Sequence, residues 1–165
     1  MVFIDESAAK TNLTRLRGRA PKGERLVCHA PHGHWRTTTM ISSVRLDGTS
    51  ACLTLEGATD TEVFQAYVRE VLVPALKAGD IVIMDNLGAH KNDRTLALIT
   101  QVRFLPAYSP DLNPIEMMWR KVKSLLRKAQ ARTHHDLLLA IAAALRAVTA
   151  QDALGWFVAC GYCFI

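Results

Sequence analysis

The chain has few cysteines and lacks a long hydrophobic run, and both shortages limit the kind of protein it can be. Four cysteines in 165 residues are too few and too scattered for a disulfide scaffold. Cys160-Gly-Tyr-Cys163 has no second pair of ligands, so buried reduced thiols are expected there rather than a zinc or redox site. The apolar stretch at residues 2–4 is too short for a signal peptide, and residues 137–145 are far below the ~20 needed to span a membrane. These shortages predict a cytoplasmic protein without a membrane partner.

The composition is typical of one globular domain over residues 1–165. Half of the residues are apolar, which is enough for a genuine core at this length. Twenty Lys and Arg against fifteen Asp and Glu give a formal net charge of +5. This excess favours an anionic partner, although composition alone supports nucleic acid only weakly.

Hydrophobic patterns predict a mixed α/β sheet with helices on both faces. Apolar runs at residues 2–4 and 81–84 are typical of buried strands. Two β-rich segments, 34–46 and 51–55, flank Asp47-Gly48, which is a strong hairpin signal. The remaining predicted elements are a strand at 102–105 and helices at 59–79, 93–100, 114–131, from 133 onward and at 152–159. In this order they make a sheet that contains both parallel and antiparallel pairs.

Two further signals set the predicted ends of the first helix. Thr59 and Glu62 have the spacing of a capping box at its start. Pro74 is expected to kink or restart the helix, and Gly79 to end it.

Three carboxylates stand where this sheet would bring them together. Asp5 and Asp85 each close an apolar run, and adjacent parallel strands lie about 4.7–4.9 Å apart. Their shared edge would be a topological switch point, where open α/β sheets place their sites. Two such carboxylates repel one another unless a cation is bound, and Mg²⁺ suits a few carboxylates with phosphate oxygens. Glu116 would be the third ligand, just inside a helix with Asn113 as N-cap and Pro114 at its first position.

Each acid also has a structural interpretation. An Asp after a strand is often only a turn residue, and the third helical position of Glu116 suits a capping-box acid. Taken together in this element order, the three favour a metal site. Of the rival acids, Glu6 is expected on the opposite face of its strand, and Asp111 is expected to serve its turn-rich loop.

The helix after Glu116 is rich in basic residues, which predicts contact with DNA phosphates. Six basic residues and no acid occur from Arg120 to Arg132, whereas solvated helix faces, the alternative, normally mix both signs. Phosphate contact would be independent of sequence and sensitive to salt. The candidate DNA-binding residues are Arg120, Lys121, Lys123, Arg127 and Lys128 in this helix and Arg17, Arg19 and Lys22 in the basic segment at residues 10–25.

Asn86 and His90 follow Asp85 closely and are possible neighbours of the active site. A position in a surface loop is nevertheless expected for His90.

Four motifs resemble the catalytic domain of mariner-superfamily DDE transposases, in their bacterial insertion-sequence branch. They are Phe3-Ile-Asp-Glu-Ser7, Gly18-Arg-Ala-Pro-Lys-Gly-Glu-Arg25, Val82-Ile-Met-Asp-Asn-Leu-Gly-Ala-His90 and Leu105-Pro-Ala-Tyr-Ser-Pro-Asp-Leu-Asn-Pro-Ile-Glu116. The resemblance implies an RNase H-like fold with a five-stranded mixed sheet. It also implies an acidic triad of Asp5, Asp85 and Glu116 that holds two Mg²⁺ or Mn²⁺ ions. Metal-dependent cleavage of double-stranded DNA and strand transfer from element ends into a target would follow.

Two departures from that family shape the expectation. The family's N-terminal helix-turn-helix region is expected to be absent, so the domain would act as a homodimer or with a helix-turn-helix-bearing transposase subunit at the nucleoid. The interval from Asp85 to Glu116 is also a few residues shorter, near residues 97–102, so the placement of Glu116 decides whether the chain is active. The alternatives are an inactive transposase remnant that binds DNA or a full-length partner, and a stand-alone metal-dependent nuclease.

Overall fold

Five strands form one mixed sheet in this computed structural model, which describes residues 1–27, 29 and 31–162. The strands are β1 (Val2–Lys10), β2 (Thr37–Arg45), β3 (Cys52–Glu56), β4 (Val82–Met84) and β5 (Val102–Phe104). Their order across the sheet is β3-β2-β1-β4-β5. The β1–β2 and β2–β3 pairs are antiparallel, whereas β4 is parallel to both β1 and β5. The predicted mixed five-stranded sheet is confirmed.

Strand β1 is longer than its apolar run, and the prediction that it stops at Asp5 was wrong. β2 pairs with it along its whole length, from Val2 opposite Arg45 to Lys10 opposite Thr37. On its other side β4 pairs only with Val2 and Phe3. Asp5 therefore lies inside a strand, but at the point where its edge toward β4 has become open.

Alternation along the strands builds one core on each face of the sheet. Phe3, Met40, Val44 and Ile83 are buried on one face. The opposite face buries their sequence neighbours Val2, Ile4, Ile41, Val82 and Met84. Because side chains of successive strand residues point to opposite faces, both faces need helical cover.

Helices cover both faces, as the element order predicts. They are α1 (Thr61–Tyr67) with a π-helical turn (Val68–Leu72), α2 (Val73–Ala75), α3 (Asp93–Leu96), α4 (Pro114–Ala129), α5 (His134–Arg146) and α6 (Ala150–Ala159). Helix α1 and the π-helical turn pack on the face of Val2 through Phe64, Tyr67, Val68 and Leu72. Helices α4, α5 and α6 pack on the face of Phe3, and α5 and α6 each contact α4.

The ends of the first helix differ from the prediction. Asp60, not Thr59, is the N-cap, and its carboxylate accepts a hydrogen bond from the Val63 N–H at 2.8 Å. The helix ends at Ala75 rather than at Gly79, because Leu76 is extended. Pro74 lacks an N–H and crowds the preceding turn, which agrees with the π-helical turn just before it.

Two connections matter for the site. The Asp47-Gly48 hairpin between β2 and β3 is confirmed, and Gly48 has φ +80° there. The helix predicted at 93–100 is only the four-residue α3, so the chain returns to β5 through a short connection.

Of the four cysteines, Cys160 is a buried free thiol as predicted, and Cys52 is a half-buried free thiol. Cys28 and Cys163 lie outside the described residues.

Within the described ranges, no single helix is long and apolar enough to cross a membrane. In the same ranges, α5 and α6 taken together reach the required length and composition, but they are bent by 75° from one another.

Candidate active site

Asp5, within β1, and Asp85, immediately after β4, occupy equivalent positions in the register of these two parallel strands. The register pairs Phe3 with Ile83, and each acid lies two residues beyond its member of this pair. A two-residue step keeps a side chain on the same face of the sheet. Since Phe3 and Ile83 belong to the core beneath α4, both acids project toward that helix.

Glu116 reaches the same face from the first turn of α4. Its neighbours Ile115 and Met118 are fully buried, which fixes the rotation of the helix against the sheet. The Glu116 N–H donates to the main-chain carbonyl of Asn113 at 3.1 Å. Glu116 itself is half-buried and faces the two acids.

All three carboxylates line one cavity of about 380 Å³. The remaining wall is formed by the segments after β4 and β5: Asn86, Leu87, Leu105, Pro106, Ala107, Tyr108, Ser109, Pro110 and Asn113. Tyr108 is fully exposed at this wall and has φ 56°, in the left-handed region. The cavity thus has an acidic side and a largely apolar side, and Asn86 lies on its wall.

Asp5 is electrostatically unfavourable in its ionised form. Its burial, together with the negative charges of Glu116, Glu6 and Asp85, raises the pKa of its carboxyl to about 7. A hydrogen bond with the Glu6 main chain only partly offsets these effects. A bound cation would remove the conflict, because it favours the ionised form of every carboxylate around it.

Asp85 is held by His90, which the sequence indicated only as a possible neighbour of the site. His90 is fully buried, and its Nδ1 lies 2.6 Å from Oδ1 of Asp85. Burial alone would raise the pKa of Asp85, but the contact with His90 and the Leu87 N–H lower it below its usual value. Both contacts are to Oδ1. They therefore orient the carboxylate and leave Oδ2 for a ligand.

The surface position expected for His90 was wrong, and the physical reason is α1. The imidazole stacks on Phe64 with ring centroids 4.2 Å apart, and its Nε2 lies 3.0 Å from Oε1 of Glu6. Burial would lower the pKa of His90, but Asp85 and Glu6 together raise it to about 9. Glu6 lies on the face opposite Asp5, as predicted. The alternation along β1 indicated that Glu6 faces away from Asp5. It did not indicate that His90 is the partner of Glu6.

The matching family model covers residues 1–138 and is described as DDE superfamily endonuclease. The chain belongs to this family.

Solved structures with the same fold as this DDE domain are complexes of the Mos1 transposase. They are the paired-end complex with left transposon end (TM-score 0.74, 19% identity), the strand transfer complex (0.69, 18%) and the mariner paired end complex with Mg (0.67, 16%). The matches cover 95%, 95% and 97% of this chain and 51%, 50% and 51% of those chains. The chain therefore spans about half the length of the structures it matches. No curated protein matches it. The RNase H-like fold implied by the sequence resemblance is confirmed.

The three acids of this DDE domain have the chemistry of a divalent-metal site, but they are not assembled around one point. Hard oxygen ligands are those that Mg²⁺ and Mn²⁺ prefer, and the raised pKa of Asp5 reflects its burial and the negative charges around it. Among the described residues, however, no three His, Cys, Asp or Glu side chains are placed to hold one metal ion. The donor set fits a divalent cation. For all three carboxylates to contact one ion, at least one would have to move.

Part of the basic surface continues from Glu116 along α4. Arg120, Lys123 and Arg127 lie within about 60° of one another around the helix axis, on the side of Glu116. In the described part of the chain, none of these three forms an ion pair. Lys121 differs, since it pairs with Asp152 of α6. Lys128, in the last turn, is exposed.

The basic segment near the N-terminus lies apart from the cavity. Arg17, Arg19 and Lys22 are exposed on a stretch, residues 11–27, that contains neither helix nor strand. Arg132 tethers its start by donating to the carbonyls of Thr11 at 3.2 Å and Leu13 at 2.8 Å. Arg132 was counted only as part of the basic run in the sequence, so this structural role was missed.

Proposed function

We propose that the chain is the catalytic domain of a mariner-type DDE transposase that cleaves DNA strands and transfers them. Asp5, Asp85 and Glu116 would be the acidic triad that binds two Mg²⁺ or Mn²⁺ ions. The observation that carries the proposal is the equivalent position of Asp5 and Asp85 beyond the Phe3–Ile83 pair, with Glu116 facing the same cavity. Membership of an endonuclease family supports the same conclusion.

The position of each residue in the site suggests its role in the reaction. Divalent ions, when bound, would polarise the attacking hydroxyl and stabilise the leaving oxygen of an in-line displacement. With a cation bound, the Asp5 carboxyl would be ionised, because the cation would offset the burial and the charges of Glu116 and Asp85 that raise its pKa. His90 contacts the Asp85 carboxylate and is itself held by Glu6. Together they keep that carboxylate in one orientation. The apolar wall around Tyr108 would shield the reacting phosphate from bulk water.

Double-stranded DNA is the proposed partner, bound as element ends and as target. Support comes from the stripe of Arg120, Lys123 and Arg127 beside Glu116, and from the DNA in the Mos1 complexes that share the fold. The exposed Arg17, Arg19 and Lys22 would add a second contact with the phosphate backbone. Recognition of specific ends would require a homodimer or a helix-turn-helix-bearing subunit, in an insertion-sequence element.

The test is Mn²⁺-dependent nicking of supercoiled plasmid by the wild type, Asp85→Asn and Glu116→Gln. Asp111→Asn is the matched control, because Asp111 is an exposed acid of the neighbouring loop and does not line the cavity. We expect nicking by the wild type and by Asp111→Asn, and a loss of at least about 100-fold in both triad variants. Equal nicking by all four proteins would contradict the assignment.

A second candidate function, DNA binding without catalysis, is favoured by one observation. No three potential ligands converge on a metal position among the described residues. A remnant of this kind would bind DNA in a salt-dependent way with unchanged affinity in Asp85→Asn, and it would not nick DNA with Mn²⁺ or Mg²⁺.

A further inference from the structure

Asn113 combines burial, an unpartnered oxygen and a place in the acidic cavity. Only 5% of the residue is exposed, and within the described chain its Oδ1 is buried without a hydrogen-bond partner. Asn113 lines the same cavity as Asp5, Asp85 and Glu116. A buried amide oxygen without a donor costs about 1–3 kcal/mol, so a donor that reached this oxygen from the adjoining cavity would be stabilising.

The capping role predicted for Asn113 does not account for this side chain. Asn113 precedes α4 as N-cap, but its side chain makes no capping hydrogen bond. The Glu116 N–H is instead taken by the main-chain carbonyl of Asn113, and Pro114 has no N–H to donate. Other helices of this chain behave differently, since the N-cap side chains of Asp60, Thr133 and Thr149 each accept from the helix. The amide of Asn113 is therefore released from α4.

The backbone around Asn113 is fixed, so the side chain is presented from a rigid position. The Asn113 N–H donates to the carbonyl of Pro110 at 3.0 Å, closing a 3₁₀ turn. The Tyr162 hydroxyl donates to the carbonyl of Leu112 at 2.8 Å and ties this turn to the segment after α6. A group held by such a scaffold can select the geometry of a ligand.

The chemistry of the neighbouring groups identifies the kind of ligand. Ionised carboxylates only accept hydrogen bonds, and so does the Asn113 carbonyl. A DNA phosphate supplies no donor to match it. A hydrated divalent cation does, because Mg²⁺ and Mn²⁺ retain several waters while carboxylates take the remaining positions.

We propose that Asn113 is a positioning residue of this site, whose Oδ1 accepts a hydrogen bond from the water shell of a hydrated divalent cation held by the acids. The inference rests on the proposed function, since it requires a cation among Asp5, Asp85 and Glu116. It adds a fourth, uncharged group to that set. Groups that orient the shell around a metal typically change its affinity by about 10–100-fold.

The test measures Mn²⁺ affinity by calorimetry on the full chain without DNA, alongside thermal unfolding. Asn113→Ser keeps a good N-cap residue but lacks the longer amide, and Asn113→Asp keeps an oxygen at the same reach. The matched control is Asn92→Ser, because Asn92 is also an N-cap, does accept from the Arg94 N–H at 3.0 Å and does not line the cavity. We expect about 10-fold weaker Mn²⁺ binding for Asn113→Ser with little change in melting temperature. Asn113→Asp and Asn92→Ser should bind Mn²⁺ at least as tightly as the wild type.

Three outcomes would overturn the inference, and they separate it from the proposed function. If Asn113→Ser binds Mn²⁺ like the wild type while Asp85→Asn does not bind, the triad stands and the role of Asn113 is wrong. If a parallel DNA-binding assay shows that Asn113→Ser changes only the preference for duplexes ending in a 3′-hydroxyl over a 3′-deoxy end, the donor is the nucleotide. If the wild type and Asp85→Asn bind Mn²⁺ equally, or neither binds, the metal site fails and the inference fails with it.

Discussion

At the scale of single residues, the folded site disfavours the ionised form of Asp5. Asp5 is buried beside Glu116, Glu6 and Asp85, and these surroundings raise its pKa to about 7. A carboxyl with a raised folded pKa binds its proton more tightly in the folded state than in the unfolded state. Its contribution to stability is therefore complete below pH ~4 and is lost as the pH rises through about 7.

We expect Asp5→Asn to stabilise the metal-free protein at high pH. At pH 8 with a chelator, the free energy of unfolding should rise on the order of 2 kcal/mol, or about 5 °C in melting temperature. At pH 4 the two proteins should differ little. Added Mn²⁺ should raise the melting temperature of the wild type and not that of Asp5→Asn. Thermal unfolding across this pH range is the measurement, with Asp111→Asn as control; a constant difference at all pH values would contradict the account.

His90 shows what could not be predicted at the residue scale. The alternation of β1 correctly placed Glu6 on the face opposite Asp5, because strand period is a local property. The burial of His90 depends on Phe64, which α1 delivers from a distant part of the chain. A loop histidine carries no local mark of such a partner, and so it was expected at the surface.

At the scale of elements, one ion pair holds the segment that leads into β4, the strand before Asp85. Arg45, the last residue of β2, donates from Nη1 and Nη2 to both carboxylate oxygens of Asp80 at 2.7 and 2.6 Å. Their side chains are only 13% and 12% exposed. Arg45 also donates to the carbonyl of Ala75 at 2.8 Å, so it joins the end of α2 to the sheet.

We expect Asp80→Ala to destabilise the fold by about 2–3 kcal/mol, because it leaves the half-buried Arg45 guanidinium unpaired. The hydrogen bond from Arg45 lowers the pKa of Asp80, so this stabilisation is present above about pH 4 and is lost as the pH falls further. Urea unfolding at pH 7 is the measurement. Lys77→Gln is the control, since it breaks only the exposed Lys77–Asp47 pair and should cost less than about 0.5 kcal/mol. Equal effects of the two substitutions would contradict this role.

Sequence patterns predicted element type well and element ends poorly. The apolar run at residues 81–84 and the Asp47-Gly48 turn carry their information locally, and both are confirmed. The length of β1 is set by its pairing with β2, 27 or more residues away, which no local pattern reports. The capping box predicted at Thr59 was wrong because adjacent residues can serve equally well as an N-cap. Asp60, one residue on, is an equally good acceptor for an orphan N–H.

At the scale of the whole molecule, the acidic cavity and the basic stripe on α4 make one surface of two opposite charges. The stripe of Arg120, Lys123 and Arg127 starts one turn after Glu116, so a phosphate backbone following it would lead into the cavity. Lys121 is directed elsewhere by its pairing with Asp152. The sequence placed all four residues on one basic helix; helix periodicity separates Lys121 from the other three, and packing against α6 gives it its partner.

We expect the salt dependence of DNA binding to distinguish these basic residues. The slope of log K against log salt is negative. Its magnitude should decrease by about 1 for each of Arg120→Gln, Lys123→Gln and Arg127→Gln, because each removes one phosphate contact. Lys121→Gln should change the slope much less, since its ammonium is already engaged. Fluorescence anisotropy with a duplex at several salt concentrations measures these slopes. A similar slope for all five proteins would contradict a DNA path along this stripe.

The central claim is that Asp5, Asp85 and Glu116 jointly hold divalent metal at the cavity on the open edge of β1. The measurement that tests it most directly is anomalous scattering at the manganese edge from crystals of the chain grown with Mn²⁺ and duplex DNA. The account predicts anomalous density in contact with all three carboxylates, with Glu116 drawn toward the other two. Density elsewhere on the protein, or none in this cavity at saturating Mn²⁺, would contradict it.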